Sequence, residues 1–328
     1  MINIFHTKDE NVISKMTDIN SSSIFWQSCP LHYAQYVMPC NIPSQMYNIS
    51  YVFSLICNIF LIISGVILNS ATILAYWKSA QLRSKTSYFL IMLLSVLDLT
   101  VAVVGNVIFV LSLAFTLYGN SNCTITILHE TLTLFTGGMS LATLYALNIE
   151  RYLCILHPFF HRTKMTKLGL LGLAAFFWLH ACVVTLSYPI LGDYVARLIT
   201  SITVLFDIVV TVCIYICICR AVQKAASNPS QAIGNQVKKS QNLRMAKSCA
   251  TVVACTVICF LPFAIVRSLK ASVFTIFFLE VWAKTLTLLS SSINSLVFFW
   301  RNPTLRREAT AILKDPGKFT RRLPVERG

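Results

Sequence analysis

The stretch TSYFLIMLLSVLDLTVAVVGNVIFVLSLAFTL, residues 86–117, carries a single charged side chain, Asp98. About 20 apolar residues rising 1.5 Å each cross the roughly 30 Å hydrocarbon layer of a bilayer, so a run this long and bare is read as a membrane-spanning helix. Working outward, similar runs occupy residues 51–77, 131–149, 168–190, 198–219 (one charge, Asp207) and 248–266. A weaker run at 285–300 must begin a few residues earlier to be long enough. Seven spans follow, and the fold class is an all-α membrane protein, a seven-transmembrane helix bundle. The third and seventh spans are the most diluted, by Thr133, Thr136, Gly137 and Gly138 in one and by the flanking Glu280 and Lys284 in the other.

Composition agrees. Of 328 residues, 56% are hydrophobic and 12% charged, about half the charged share of an ordinary soluble domain. No length remains for a large catalytic domain, so an enzyme is not expected. The net charge of +15 does not point to nucleic acid, because the cations lie between the apolar runs and in the tail. Lys78, Arg83 and Lys85 follow the first span, Arg162, Lys164 and Lys167 the third, Lys224, Lys238, Lys239, Arg244 and Lys247 the fifth, and Arg301 to Arg322 the seventh. These segments share one side, which the positive-inside rule makes cytoplasmic.

The organisation expected is an extracellular tail over 1–50, a bundle over 51–301, a short amphipathic cytoplasmic helix over 302–314 with Leu305, Ile312 and Leu313 toward the inner leaflet, and a basic cytoplasmic tail over 315–328. The sequons at Asn20, Asn48 and Asn122 all fall on the outside and are candidate glycosylation sites. The polar first fifty residues lack the short apolar core of a cleavable signal, so the first span is expected to act as signal anchor. Nine of the twelve cysteines lie in or beside apolar runs as packing residues. Cys29, Cys40 and Cys123 face the oxidising side, which permits one disulfide.

Counting 1.5 Å per residue from the inner ends, Asp98, Ser140, Asn69 and Asn294 fall at roughly 10–16 Å, one layer near the midplane. A carboxylate at that depth needs partners. Asp98 with Asn69, Ser140, Ser291 and Asn294 reads either as a hydrated pocket, for which Na⁺ is the candidate ion, or as separate helix–helix hydrogen bonds. Nearer the outside, Glu130, Arg267 and Lys284 fall at roughly 25–31 Å and Asp207 at about 20 Å. Each of the first three is read as either an interfacial snorkelling side chain or a ligand contact. Asp207 is deep enough that it should face the bundle.

With these residues placed, the chain resembles the rhodopsin-like family of G-protein-coupled receptors over roughly residues 51–314. The resemblance rests on joint order and spacing: Asn69; Leu97-Asp98; Glu150-Arg151-Tyr152 with Pro158 downstream; Trp178; Cys259-Phe260-Leu261-Pro262; and Asn294-Ser295-Leu296-Val297-Phe298 running into Arg301-Asn302-Pro303. It implies a plasma-membrane receptor without a cofactor, whose partners are a small-molecule, lipid or peptide ligand outside and a heterotrimeric G protein inside. Glu150 would hold Arg151 at rest, helix six would swing outward about Pro262 near Phe260, Phe159 would meet the G protein, and Tyr215 would support the open state. Departures from the family pattern are Phe260 for tryptophan, Ser295 and Phe298 for proline and tyrosine, no proline in helix five, and Asn242, Arg244 and Lys247 where an acid often locks helix six. A weakened resting state with basal activity is expected.

Resemblance also narrows the ligand. Amine receptors carry an aspartate one turn below the Glu130 level, where Thr133 stands, and opsins carry their lysine where Leu288 stands, one turn from Lys284. A typical monoamine and a light-absorbing chromophore are disfavoured. Residues 191–198 form a very short second outer loop without cysteine, similar to that of receptors for lipids, nucleosides and melanocortin-like peptides. Cys123 therefore pairs with Cys29, with Cys40, or with neither. A transporter and a ligand binder that does not signal are the alternatives weighed, the first against the absence of inverted repeats.

Overall fold

The computed structural model describes residues 45–118, 123–191, 193–227, 236–269 and 273–314, and no strand occurs among them. Helix one is Gln45–Lys78, helix two spans Thr86–Leu117, helix three is Cys123–Leu156, helix four Lys167–Leu191, helix five Asp193–Ser227, helix six Gln236–Ser268 and helix seven Val273–Arg301. Short helices follow the first span (Ala80–Arg83), the third (Pro158–Lys164) and the seventh (Pro303–Lys314). Helices one to seven pack in sequence, helix seven closes the ring on helix one, and helix three touches helices two, four, five, six and seven.

The bundle is apolar outside and polar inside. Phe53, Phe60, Ile67, Phe176, Leu179, Ile202 and Phe206 are exposed, whereas Asn58, Asn69, Asp98, Ser140, Thr143, Glu150 and Asn294 are buried. This suits a hydrocarbon solvent, where polar groups are stable only when paired within the protein. It also explains the two weak spans. Helix seven turns Glu280, Lys284, Ser290, Ser291, Ser292, Asn294 and Ser295 into the interior, and helix three does the same with Glu130, Thr133, Thr136, Ser140, Thr143 and Glu150. Among the described residues, six helices are long and apolar enough to cross a membrane on hydropathy alone, and helix seven is the one that this interior polarity keeps out of that set.

Side-chain hydrogen bonds set the helix contacts. Trp178 Nε1 donates to Thr143 Oγ1 at 2.9 Å and ties helix four to helix three. Asn58 Nδ2 donates to Thr285 Oγ1 at 3.0 Å, joining helices one and seven. Helix two widens into a π-helical turn at Val101–Gly105, the extra residue re-aiming its outer half. Gly105 lets helix three approach there, since an added Cβ would lie 2.6 Å from Thr136 Oγ1 and one of the two would have to shift.

The sequence expectations need adjusting in three places. Residues 191–198 are not a loop of that length: helix four runs to Leu191 and helix five starts at Asp193. The terminal helix Pro303–Lys314 turns Leu305 and Ala309 against the bundle, in one cluster with Tyr76 and Leu82, rather than leaving Leu305 to the leaflet. Asn48 lies exposed within helix one. Asn20, Asn122, Cys29 and Cys40, and the side chains of Cys123, Asn242, Arg244, Lys247, Ile312 and Leu313, lie outside what the structure describes.

Candidate functional site

At the end where helix three begins, four helices bring charged side chains together. Arg267 of helix six donates to Glu130 Oε2 of helix three at 2.7 Å and lies 3.1 Å from Glu280 of helix seven. Lys284, one turn below Glu280, bonds Glu130 and sits 3.2 Å from Glu280. Arg197 of helix five reaches Glu280 at 3.0 Å. The side chains of Arg267 and Glu130 are 0% and 3% exposed, so the snorkelling reading is wrong for them and for Lys284. These groups point inward because each cation finds a carboxylate there, which offsets the cost of leaving water. His129 stacks on Phe109 with ring centroids 5.0 Å apart, and Arg267 lies over the Phe263 ring at 4.9 Å.

Beneath this cluster a cavity of about 80 Å³ lies between helices three, four, five, six and seven. All five candidate ligand contacts, Glu130, Thr133, Asp207, Arg267 and Lys284, line it. The remaining wall is mostly apolar, from Leu134, Leu141, Phe177, Val184, Val204, Phe260 and Phe263, with Tyr145 and His180 beside Asp207. Gly137 leaves part of that space: a Cβ built on it meets nothing within 4 Å. Phe260 and Phe263 flank Pro262, so the cavity borders the proline of helix six.

Further in, the midplane layer forms around Asp98. Ser140 Oγ donates to Asp98 Oδ1 at 2.5 Å and Asn294 Nδ2 to Oδ2 at 3.1 Å, drawing helices two, three and seven together. Asn69 donates to the carbonyls of Gly65 at 2.9 Å and Ser291 at 3.3 Å, and accepts from Ser295 Oγ. Ser291 itself donates to the Leu288 carbonyl at 2.9 Å, so its hydroxyl belongs to its own helix. Each oxygen of the carboxylate accepts one of these bonds. The layer consists of two sets of hydrogen bonds between helices, one centred on Asp98 and one on Asn69.

At the inner end Glu150 is fully buried, accepts from Ser87 Oγ at 2.7 Å and lies 2.8 Å from His161 Nε2. Arg151 Nε is 3.4 Å from Glu150 Oε2, with the Arg151 side chain 20% exposed. Pro158 opens the short helix Pro158–Lys164, where its lost N–H costs nothing, and Phe159 beside it is 86% exposed. Tyr152 and Tyr215 pack together around Ile218 and Val222. Phe298 is buried in the inner core.

The family model described as the seven-transmembrane receptors of the rhodopsin family matches residues 68–197, from the Asn69 turn through Asp98, Glu150-Arg151-Tyr152 and Trp178. The chain is similar to that family over this stretch, which is less than half of its length. No curated protein matches it.

In this receptor, sequence reasoning placed the five cavity contacts but missed how they are held. In the sequence Glu280 reads only as a flanking charge, and Arg197, His129, Tyr145, Phe177 and His180 carry no signal that marks them as part of the site. One signal was available: Glu280 and Lys284 stand four residues apart, an opposite-charge spacing that puts both on one face. Nothing in sequence order announces His161, eleven residues from its partner Glu150 and in a different helix.

Proposed function

We propose that the receptor is activated by an extracellular ligand seated in the cavity beneath Glu130, Arg267 and Lys284, and that it signals to a heterotrimeric G protein through outward movement of helix six. The observation that carries this reading is the position of the cavity at the helix-six proline: Phe260 and Phe263 line it on either side of Pro262. Proline removes one backbone hydrogen bond and leaves a point about which a helix can pivot. Thr287 of helix seven donates to the Cys259 carbonyl at 3.4 Å and Ser201 of helix five to the Ala264 carbonyl at 2.7 Å, so both neighbours grip helix six near that pivot.

The space is about half of the ~150 Å³ that accepts benzene in an engineered apolar cavity. A ligand larger than that must part the helices, and it gains affinity only for the state in which they are parted. That differential affinity drives the population shift. At the inner end Arg151 leaves Glu150, and the cleft exposes Tyr215 to the G protein beside the already exposed Phe159 of the short helix Pro158–Lys164. Sodium fits the midplane network as an allosteric ion, since Asp98 and Ser140 offer it hard oxygen ligands; its role would be to hold helices two, three and seven together at rest.

The receptor sits in the plasma membrane with its amino end outside and its basic tail inside, the orientation that places the cation-rich segments in the cytoplasm. A ligand screen over small molecules, lipids and peptides, read by G-protein dissociation, tests the reading. A hit that acts through wild type and not through Arg151→Ala supports it. A chain that moves solute or current with Arg151→Ala unchanged would be a transporter, and the reading fails.

A further inference from the structure

Where helix three ends, three metal-ligating side chains meet. Glu150 and Cys154 stand four residues apart, one above the other on the same helical face. His161 reaches the same point from the short helix Pro158–Lys164. A carboxylate oxygen, the Cys154 Sγ and a His161 ring nitrogen lie within 4.8 Å of one another, Glu150 buried and the other two partly open to solvent. The closest pair, His161 Nε2 and Glu150 Oε1, is 2.8 Å apart.

Around a tetrahedral zinc ion, with bonds of about 2.0–2.3 Å, such atoms lie roughly 3.3–3.6 Å apart, so shifts of about an ångström turn the cluster into a coordination shell. A thiolate, an imidazole and a carboxylate suit zinc, whereas calcium and magnesium call for oxygen alone. Ser87 Oγ, donating to Glu150 Oε1 at 2.7 Å, is the kind of outer hydrogen bond that orients a ligating carboxylate. We infer that Glu150, Cys154 and His161 form a zinc site, with water in the fourth position, that clamps the helix Pro158–Lys164 to the inner end of helix three. On binding, the Cys154 thiol gives its proton to solvent and the thiolate bonds the metal. The ion shares Glu150 with Arg151 and so competes for the carboxylate assigned to the switch, but metal binding itself does not depend on G-protein coupling.

The test uses the full-length chain in nanodiscs, titrated with Zn²⁺ alone and, in parallel, with Mg²⁺. Bound metal is read by competition with a chromophoric chelator, and alkylation of Cys154 by mass spectrometry of its peptide. One zinc per chain is expected, slowing Cys154 alkylation about tenfold or more, with no effect of Mg²⁺. Cys154→Ser and His161→Ala should each weaken zinc by at least about tenfold, the lower bound seen when even an outer-shell partner is lost. His161→Cys, which supplies another zinc ligand, should bind within about threefold of wild type. Should Cys154→Ser not fold, the contrast between His161→Ala and His161→Cys decides. Zinc affinity equal in those two variants, or Cys154 alkylation at the same rate with and without zinc, overturns the site.

Discussion

At its outer end the bundle joins Glu130, Glu280, Arg197, Arg267 and Lys284 from four helices, whereas at its inner end Glu150 and Arg151 are neighbours on one helix and Arg151 stays partly exposed. Charges from different helices, shielded from water, act as cross-braces, because separating them leaves each one unpaired in a medium of low dielectric. Glu150 also holds Ser87 of helix two and His161 of the short helix Pro158–Lys164, so this end is tied through one carboxylate rather than through several ion pairs. The Arg151 side chain is 20% exposed, so water can screen its charge in a way that it cannot screen the outer cluster. The outer end is thus held by ion pairs between helices, and the inner end by hydrogen bonds around one buried carboxylate. Among the described residues at the inner end, Arg301 Nη2 of helix seven donates to Thr251 Oγ1 of helix six at 2.7 Å, guanidinium to hydroxyl rather than ion to ion.

The comparison is most exposed to Arg151→Ala, for which ligand-driven G-protein dissociation should fall to the level of mock-transfected cells with surface expression kept. Retained signalling would remove the inner end from the mechanism. Next in size is Glu130→Gln, which leaves Arg267 and Lys284 sharing Glu280. It should cost about 3–5 kcal/mol, the usual penalty for breaking a buried ion pair, read as a lower unfolding midpoint of the solubilised receptor. A midpoint equal to wild type would mean the outer charges brace nothing. Gly105→Ala should cost about 1–3 kcal/mol through the clash with Thr136 Oγ1, and adding Thr136→Ala should recover most of it in the same thermal measurement. Thr251→Val removes the inner hydrogen bond, worth about 1 kcal/mol. Basal signalling should rise up to about fivefold, and a fall would show that this bond favours the open state. Arg307→Ala, at an exposed pair with Glu308, should change stability by less than about 0.5 kcal/mol.

Much of the site was legible in the sequence. Asp98 stood out as the single charge in a long apolar run, and rise per residue put it level with Ser140 and Asn294, which do bond it. Glu130, Arg267 and Lys284 could be placed near one another in depth but not in direction. Depth follows from distance along one helix, but direction needs the rotation of each helix against its neighbours. That is why they also read as snorkelling side chains when they face inward and pair. The second outer loop was overestimated because Asp193 and Arg197 look like loop residues, although Arg197 is turned into the bundle by Glu280.

From the amino-acid order alone came the all-helical membrane fold, the number of spans and the level of each buried polar group, since bilayer thickness and helical rise are constants that act on a chain locally. Tertiary structure decided which charges pair, where the cavity opens against Pro262, the π-helical turn after Asp98, and the meeting of His161 with Glu150 and Cys154. Those depend on how far helices rotate and how closely they approach. Contacts between segments distant in sequence set both, and hydropathy and spacing carry no record of them.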